Sequence, residues 1–207
     1  MKTDSYTITY AIAVGLACAM LLTVWSRFTQ DYVEANRRAE RVRNILEVLG
    51  IEYDAEASAD ELLAVFEREV SAEEINDFGI YRAAAPVLRE GPVAVPFSGS
   101  GLWGPIEGFL ALEPDMITIR AVSFYRQEET PGLGGEIDSG WFRGRFEGRS
   151  IIGPDGRAGI RIVSDREAEH INEVDAITGA TMTCNQVEEM INRAIAGIAG
   201  EERNNVR

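Results

Sequence analysis

The longest uninterrupted apolar stretch, Ser5 to Ser26, reads "SYTITYAIAVGLACAMLLTVWS", 22 residues without a formal charge. A helix of about 20 apolar residues crosses the hydrocarbon core of a bilayer. The stretch exceeds the roughly 7 to 15 residues of a signal-peptide apolar region. Its charged leader is also thin, Lys2 against Asp4. Both features favour a retained anchor over a cleaved signal or a buried core helix. Tyr6, Tyr10 and Trp25 near the ends suit the membrane interface, and Gly15 and Ala17 would let a neighbouring helix approach.

Beyond the span the pattern changes twice. Val33, Val42, Ile45, Leu46 and Leu49 recur at loosely helical spacing and stop at Gly50. Ser58 with Glu61, and Ser71 with Glu74, each fit a Ser-x-x-Glu capping box, which predicts short helices to about residue 80. From "GPVAVPFSGSGLWGP" onwards the reading is β: "FLALEPDMITIRAVSFY" as two strands joined at "EPDM", "GWFRGRFEG" as a broken strand and "AGIRIVSD" as a short one. Val187, Met190, Ile191, Ala194, Ile195 and Ile198 then mark a closing helix that ends at Gly200. The division is an anchor over 1–28, a helical connecting segment over 29–80, a folded domain over 81–200 and a polar tail over 201–207. The fold class is α+β, with antiparallel strands and flanking helices rather than repeating βαβ units.

Composition removes several functions. A net charge of −14 in 207 residues opposes nucleic-acid binding, which needs a basic face. Lys2 is the only lysine and His170 the only histidine, so a P-loop, an internal pyridoxal lysine and a paired-histidine metal or haem site are all unavailable. Cys18 and Cys184 lie too far apart in kind and sequence to read as a disulfide framework or metal cluster.

Candidate chemistry concentrates at "DAITGATMT", Asp175 to Thr183, directly before the closing helix. The hydroxyls of Thr181 and Thr183 and the free N–H groups of a helix start favour an anion, with Gly179 allowing close approach. Equally, Thr183 alone serves as an ordinary helix cap. The residues by themselves leave both readings open.

Asp175, Thr178, Gly179, Ala180 and Thr181 resemble the flavinylation signature of FMN-binding domains, in which a flavin transferase uses FAD to join the FMN phosphate to a threonine. Upstream, "GSGLWGPIEGFLALEPD" and "SFYRQEETPGLGGEID" are similar to the C subunit of the Na+-translocating NADH:quinone oxidoreductase, over roughly residues 93 to 190. The G subunit of Rnf-type ferredoxin:NAD+ complexes is a related alternative.

The resemblance implies covalent FMN on Thr181, with Asp175, Thr178, Gly179 and Ala180 shaping the motif. Thr183 would bond the phosphate in addition to capping. It further implies that Thr130, Gly132 and Leu133 approach the isoalloxazine, and that Ser98 and Leu102 form a second wall; Trp103 belongs to that wall or to the core. No residue takes a catalytic or metal-binding role. The implied function is electron relay within a membrane complex that oxidises NADH, reduces quinone and moves Na+. The other subunits of that complex and the flavin transferase are the implied partners. A membrane-anchored flavin module without relay is the alternative of a different class. The resemblance also implies a single-pass protein of the bacterial inner membrane with its flavin domain in the periplasm. Arg27, Arg37 and Arg38 after the span, against Lys2 before it, argue weakly for the opposite orientation.

Overall fold

The computed structural model describes residues 2–84, 91–164 and 166–200; the polar tail expected at 201–207 lies outside them. The chain divides into two units, Met1–Ala39 and Glu40–Arg207. Helix α1 runs from Lys2 to Leu49. Within its first part, Tyr6–Gln30 is long and apolar enough to cross a membrane, with a mean hydropathy of 2.0 and side chains that face outward.

The second unit is built on a five-stranded antiparallel meander. Its strands are β1 (Val70–Ile75), β2 (Phe78–Ala83), β3 (Val93–Ser100), β4 (Pro105–Leu112) and β5 (Ile119–Arg126), in spatial order one to five. The antiparallel sheet and the "EPDM" connection match the sequence reading. On one sheet face lies α4 (Thr181–Ala199), which buries Val187, Met190, Ile191, Ala194, Ile195 and Ile198 in one core with Val93, Val95, Phe97 and Leu110. Gly200 closes α4 in the left-handed conformation, φ 78°, the C-terminal stop that glycine permits. Elsewhere in the same unit Val42, Ile45, Leu46, Val48 and Leu49 are buried. Beside them the Arg41 guanidinium lies over the rings of Tyr81 and Phe109 and donates to the Tyr81 hydroxyl at 3.2 Å.

The Ser58 capping box forms as expected and starts α2 (Ala59–Glu69). The second box does not, and the helical reading of residues 70–80 is corrected. Ser71 and Glu74 sit in β1, which turns back into β2 through Asn76 and Asp77 at φ 52° and 67°. Two consecutive left-handed residues are what a two-residue hairpin turn of right-handed twist requires, and Asn and Asp tolerate that region best after glycine. The hairpin is fastened by Arg82, whose Nε reaches Glu73 at 2.9 Å, and by Asn76 Nδ2, which donates to the Ile198 carbonyl at 2.7 Å.

Two further expectations change. "GWFRGRFEG" is no strand: a 3₁₀ turn (Gly134–Asp138) leads into the short helix α3 (Gly140–Arg143), with Ser139 accepting from Phe142 N–H at its start. Phe142 and Phe146, four apart and both fully buried, carry a helical rather than an alternating period. The strand within "AGIRIVSD" exists as β6 (Arg161–Val163), but it pairs parallel with β7 (Glu173–Asp175) in a separate two-stranded sheet.

Replacing Asn76 with alanine removes the bond to the Ile198 carbonyl and places a Cβ-bearing residue without a polar side chain at positive φ. The folded state should lose about 1–3 kcal/mol, read as a lower denaturant midpoint with an unchanged slope.

Candidate functional site

The three sequence segments singled out above converge on one buried carboxylate, Glu129, which is 5% exposed. Its Oε1 accepts the backbone N–H groups of Leu102 at 2.8 Å and Trp103 at 3.1 Å. Its Oε2 accepts the Thr183 hydroxyl at 2.7 Å. A buried charge persists only when hydrogen-bonded, and here the donors come from the β3–β4 loop and from the first turn of α4. Two glycines make the space. A Cβ on Gly101 would stand 2.5 Å from Oε1, and one on Gly134 would stand 2.6 Å from Thr183 Oγ1 and 2.7 Å from Oε2.

Immediately after Glu129, Thr130 to Leu133 form a tight turn: Leu133 N–H donates to the Thr130 carbonyl at 3.1 Å, with Pro131 second and Gly132 third at φ 75°. That is the type II arrangement, which needs glycine at its third position. Leu133 is 45% exposed, and its Cδ2 lies 3.2 Å from where a Cβ on Gly179 would stand. The turn therefore abuts the Gly-Ala-Thr segment. Gly179, at φ 81°, is itself in the left-handed region.

Thr181 opens α4 and is exposed, while Ala180 is the buried N-cap and offers no side-chain bond. The N–H groups of Thr181, Met182 and Thr183 belong to the helix's first turn, where no intrahelical acceptor exists, and they lie at the positive end of its dipole. Thr183 is not the cap. It is 2% exposed and its hydroxyl proton is committed to Glu129, so its side chain holds the acid rather than reaching outward. Thr178 and Thr130 are exposed. Ser98 pairs with Glu107 and, by strand alternation, faces away from the side on which Gly99 meets Met190 of α4. The structure does not bring Ser98 to the other candidates.

The strand feeding the motif is held by a second buried acid. Glu173, fully buried, accepts from Arg166 at 2.8 and 2.5 Å, from Arg161 at 3.3 Å and from the N–H groups of Glu169 and His170. The hydrogen-bonded Arg166 guanidinium lowers its pKa to about 2. Asp175 Oδ1 accepts the Ala168 N–H at 2.7 Å, and Arg145 donates to the carbonyls of Asp175 and Ala176 while stacking 4.7 Å from the Trp141 ring. Cys184 is fully buried, its sulfur accepts the Ile177 N–H at 3.4 Å, and burial pushes its thiol pKa up. It packs in the core. His170 is exposed and apart from the motif's hydrogen bonds.

Four large apolar side chains of these segments are exposed: Met182 at 62%, next in sequence to Thr181; Leu133 at 45%, against Gly179; and Leu102 at 45% and Trp103 at 71%, whose amides are tied to Glu129. Exposed apolar walls beside a helix N-terminus with glycine clearance fit a phosphate-bearing aromatic cofactor. Sequence reasoning missed Glu129 and Arg145. The first was visible only as the opening letter of "ETPGLGG", where an acid reads as solvated.

Residues 101–196 match the family model described as the FMN-binding domain. The C subunit of the Na(+)-translocating NADH-quinone reductase of Pasteurella multocida (strain Pm70) is 38% identical over 95 residues, which cover 46% of this chain and 36% of that relative. The subunit of the same name from Yersinia pestis is 40% identical over 101 residues, 48% of this chain and 38% of its own length. The matched region thus spans well under half of these relatives. The crystal structure of the C subunit from Parabacteroides distasonis superposes with a TM-score of 0.68 at 21% identity, covering 86% of this chain and 98% of that one. The fold is the same, and the resemblance read from the motifs holds.

Because its folded pKa lies below the ordinary value of 4.5, Glu173 stabilises the fold fully above about pH 4.5, and that contribution disappears as pH falls towards about 2. Glu173→Gln should therefore lower the melting temperature at pH 7. The gap to the parent protein should close progressively below pH 4.5 in a pH series of thermal melts.

Proposed function

We propose that this chain, similar over its FMN-binding domain to the C subunit of the Na+-translocating NADH-quinone reductases, carries FMN as a phosphoester on Thr181 and relays electrons within such a membrane complex. The observation that carries the reading is the exposed hydroxyl of Thr181 at the first position of α4, beside left-handed Gly179 and the Leu133 turn. In the attachment step the Thr181 Oγ1–phosphorus bond forms and the pyrophosphate P–O bond of FAD breaks. AMP leaves, and the hydroxyl proton passes to solvent or to a flavin transferase.

Each part of the site has a task in this reading. The diester's remaining charge is eased by the first-turn N–H groups and the helix dipole. Gly179 and Ala180 leave room for the phosphate, and Thr178 and Thr130 offer exposed hydroxyls to the cofactor. Leu133, Met182, Leu102 and Trp103 shield the ring system from water. FMN supplies one- and two-electron redox chemistry when bound; the chain supplies its position and surroundings. Electrons would come from NADH and go to quinone through other subunits, coupled to Na+ movement, with Tyr6–Gln30 as the anchor in the inner membrane and the flavin domain on the periplasmic side.

When the full chain is produced with a flavin transferase, its intact mass should rise by one FMN less water, and the band should fluoresce after SDS electrophoresis. Thr181→Val should abolish both, whereas fluorescence retained in that variant would refute the attachment site. Cys184 is too buried to report orientation. A cysteine at exposed Glu189 in a Cys18→Ala background should react with an impermeant maleimide added outside the inner membrane, and no labelling there would refute the periplasmic placement.

A further inference from the structure

We infer that Glu129 is a positioning residue of the flavin site, setting through Thr183 the placement of the acceptor end of α4 against the two loops that face it. The inference rests on the reading of Thr181 as the acceptor and goes one step further, to what prepares that acceptor.

The geometry is specific. One carboxylate oxygen takes two consecutive amides of the β3–β4 loop and the other takes one hydroxyl of α4. The carboxylate thereby ties the β3–β4 loop to the first turn of α4, from an acid that stands 54 residues before Thr183 in sequence. Thr183 lies two positions after Thr181, so its side chain turns into the protein while Thr181 faces out. Its bond to Glu129 sets the rotation of the helix about its axis and hence the direction of the Thr181 hydroxyl. On the far side of the acid, Leu102 and Trp103 depend on its other oxygen for their amide partners, which sets where those apolar side chains stand.

Neither half has slack. Gly101 and Gly134 occupy positions where any Cβ would collide with the carboxylate or with Thr183 Oγ1, so the segments close on the acid to contact distance. Charge-assisted bonds to a buried carboxylate are about twice as strong as neutral ones. A helix end held this way presents one hydroxyl orientation to an incoming phosphorus centre, and orientation of this kind acts on rate.

The test uses the full chain in mild detergent, prepared without flavin, then treated with FAD and a flavin transferase while incorporation is followed by intact mass. Thr183→Val, which keeps the shape and removes the donor, should lower kcat for incorporation about tenfold or more, and Thr183→Ser should stay within about threefold of the parent. Glu129→Gln keeps an acceptor for the loop amides but cannot hold both sets of bonds as an anion. It should slow incorporation as Thr183→Val does, and the double variant should be no slower than either single one. A merely structural role predicts a lower melting temperature with the folded fraction modified at the parent rate. That result, or additive effects in the double variant, would overturn the inference. Should Thr183→Val fail to melt cooperatively, the comparison of Glu129→Gln with Thr183→Ser decides alone. If the parent chain takes up no FMN, it is the attachment reading that fails, and the inference falls with it.

Discussion

The carboxylate of Glu129 is the constraint around which the site is organised. Removing an ionised acid from water is costly unless donors replace the solvent it loses. The chain meets that demand with two backbone amides and one hydroxyl drawn from different parts of the fold. Their convergence dictates glycine at 101 and 134, the inward rotation of Thr183 and, as its complement, the outward rotation of Thr181. Removing the acid would leave the buried Thr183 hydroxyl, and with it the Leu102 and Trp103 amides, without their acceptor.

Glu173 repeats the device on the other approach to the motif. It too is buried and ringed by donors, here two arginines and two amides, and the strand it belongs to runs directly into Asp175. The surplus of acidic residues is therefore of two kinds. Most lie at the surface, while these two act inside as acceptors that hold irregular backbone on either side of the Gly-Ala-Thr segment. Arg145, lodged between the Trp141 ring and the Asp175 and Ala176 carbonyls, completes that fixation from the opposite charge.

What could be read from the chain beforehand was local. The α4 pattern from Val187 to Ile198, the stops at Gly50 and Gly200, the Ser58 cap, the β4–β5 hairpin and the Pro131–Gly132 turn each follow from spacing or from a residue's own backbone preference. The motif family followed from words of sequence. The rest depended on partners far away along the chain. Ser71 and Glu74 satisfy a helix start as well as a strand, and only the left-handed Asn76–Asp77 pair and the Glu73–Arg82 contact decide for the hairpin. Phe142 and Phe146 sat among glycines and arginines that masked their period. The parallel partner of Arg161–Val163 lies beyond a loop. Thr183 read as a cap because its actual acceptor, Glu129, is invisible at short range.

The same separation bears on how the protein comes into being. Synthesis runs from the N-terminus, so the Leu102 and Trp103 amides and Glu129 emerge well before Thr183, and α4 is the last described element to appear. Until it docks, β3 lacks the helix that covers its apolar face and the acid lacks its hydroxyl donor. An incomplete chain consequently cannot display Thr181 in its final setting. The Thr181 hydroxyl takes up its final surroundings only when the last helix has closed over the sheet, which makes that setting a record of completed folding.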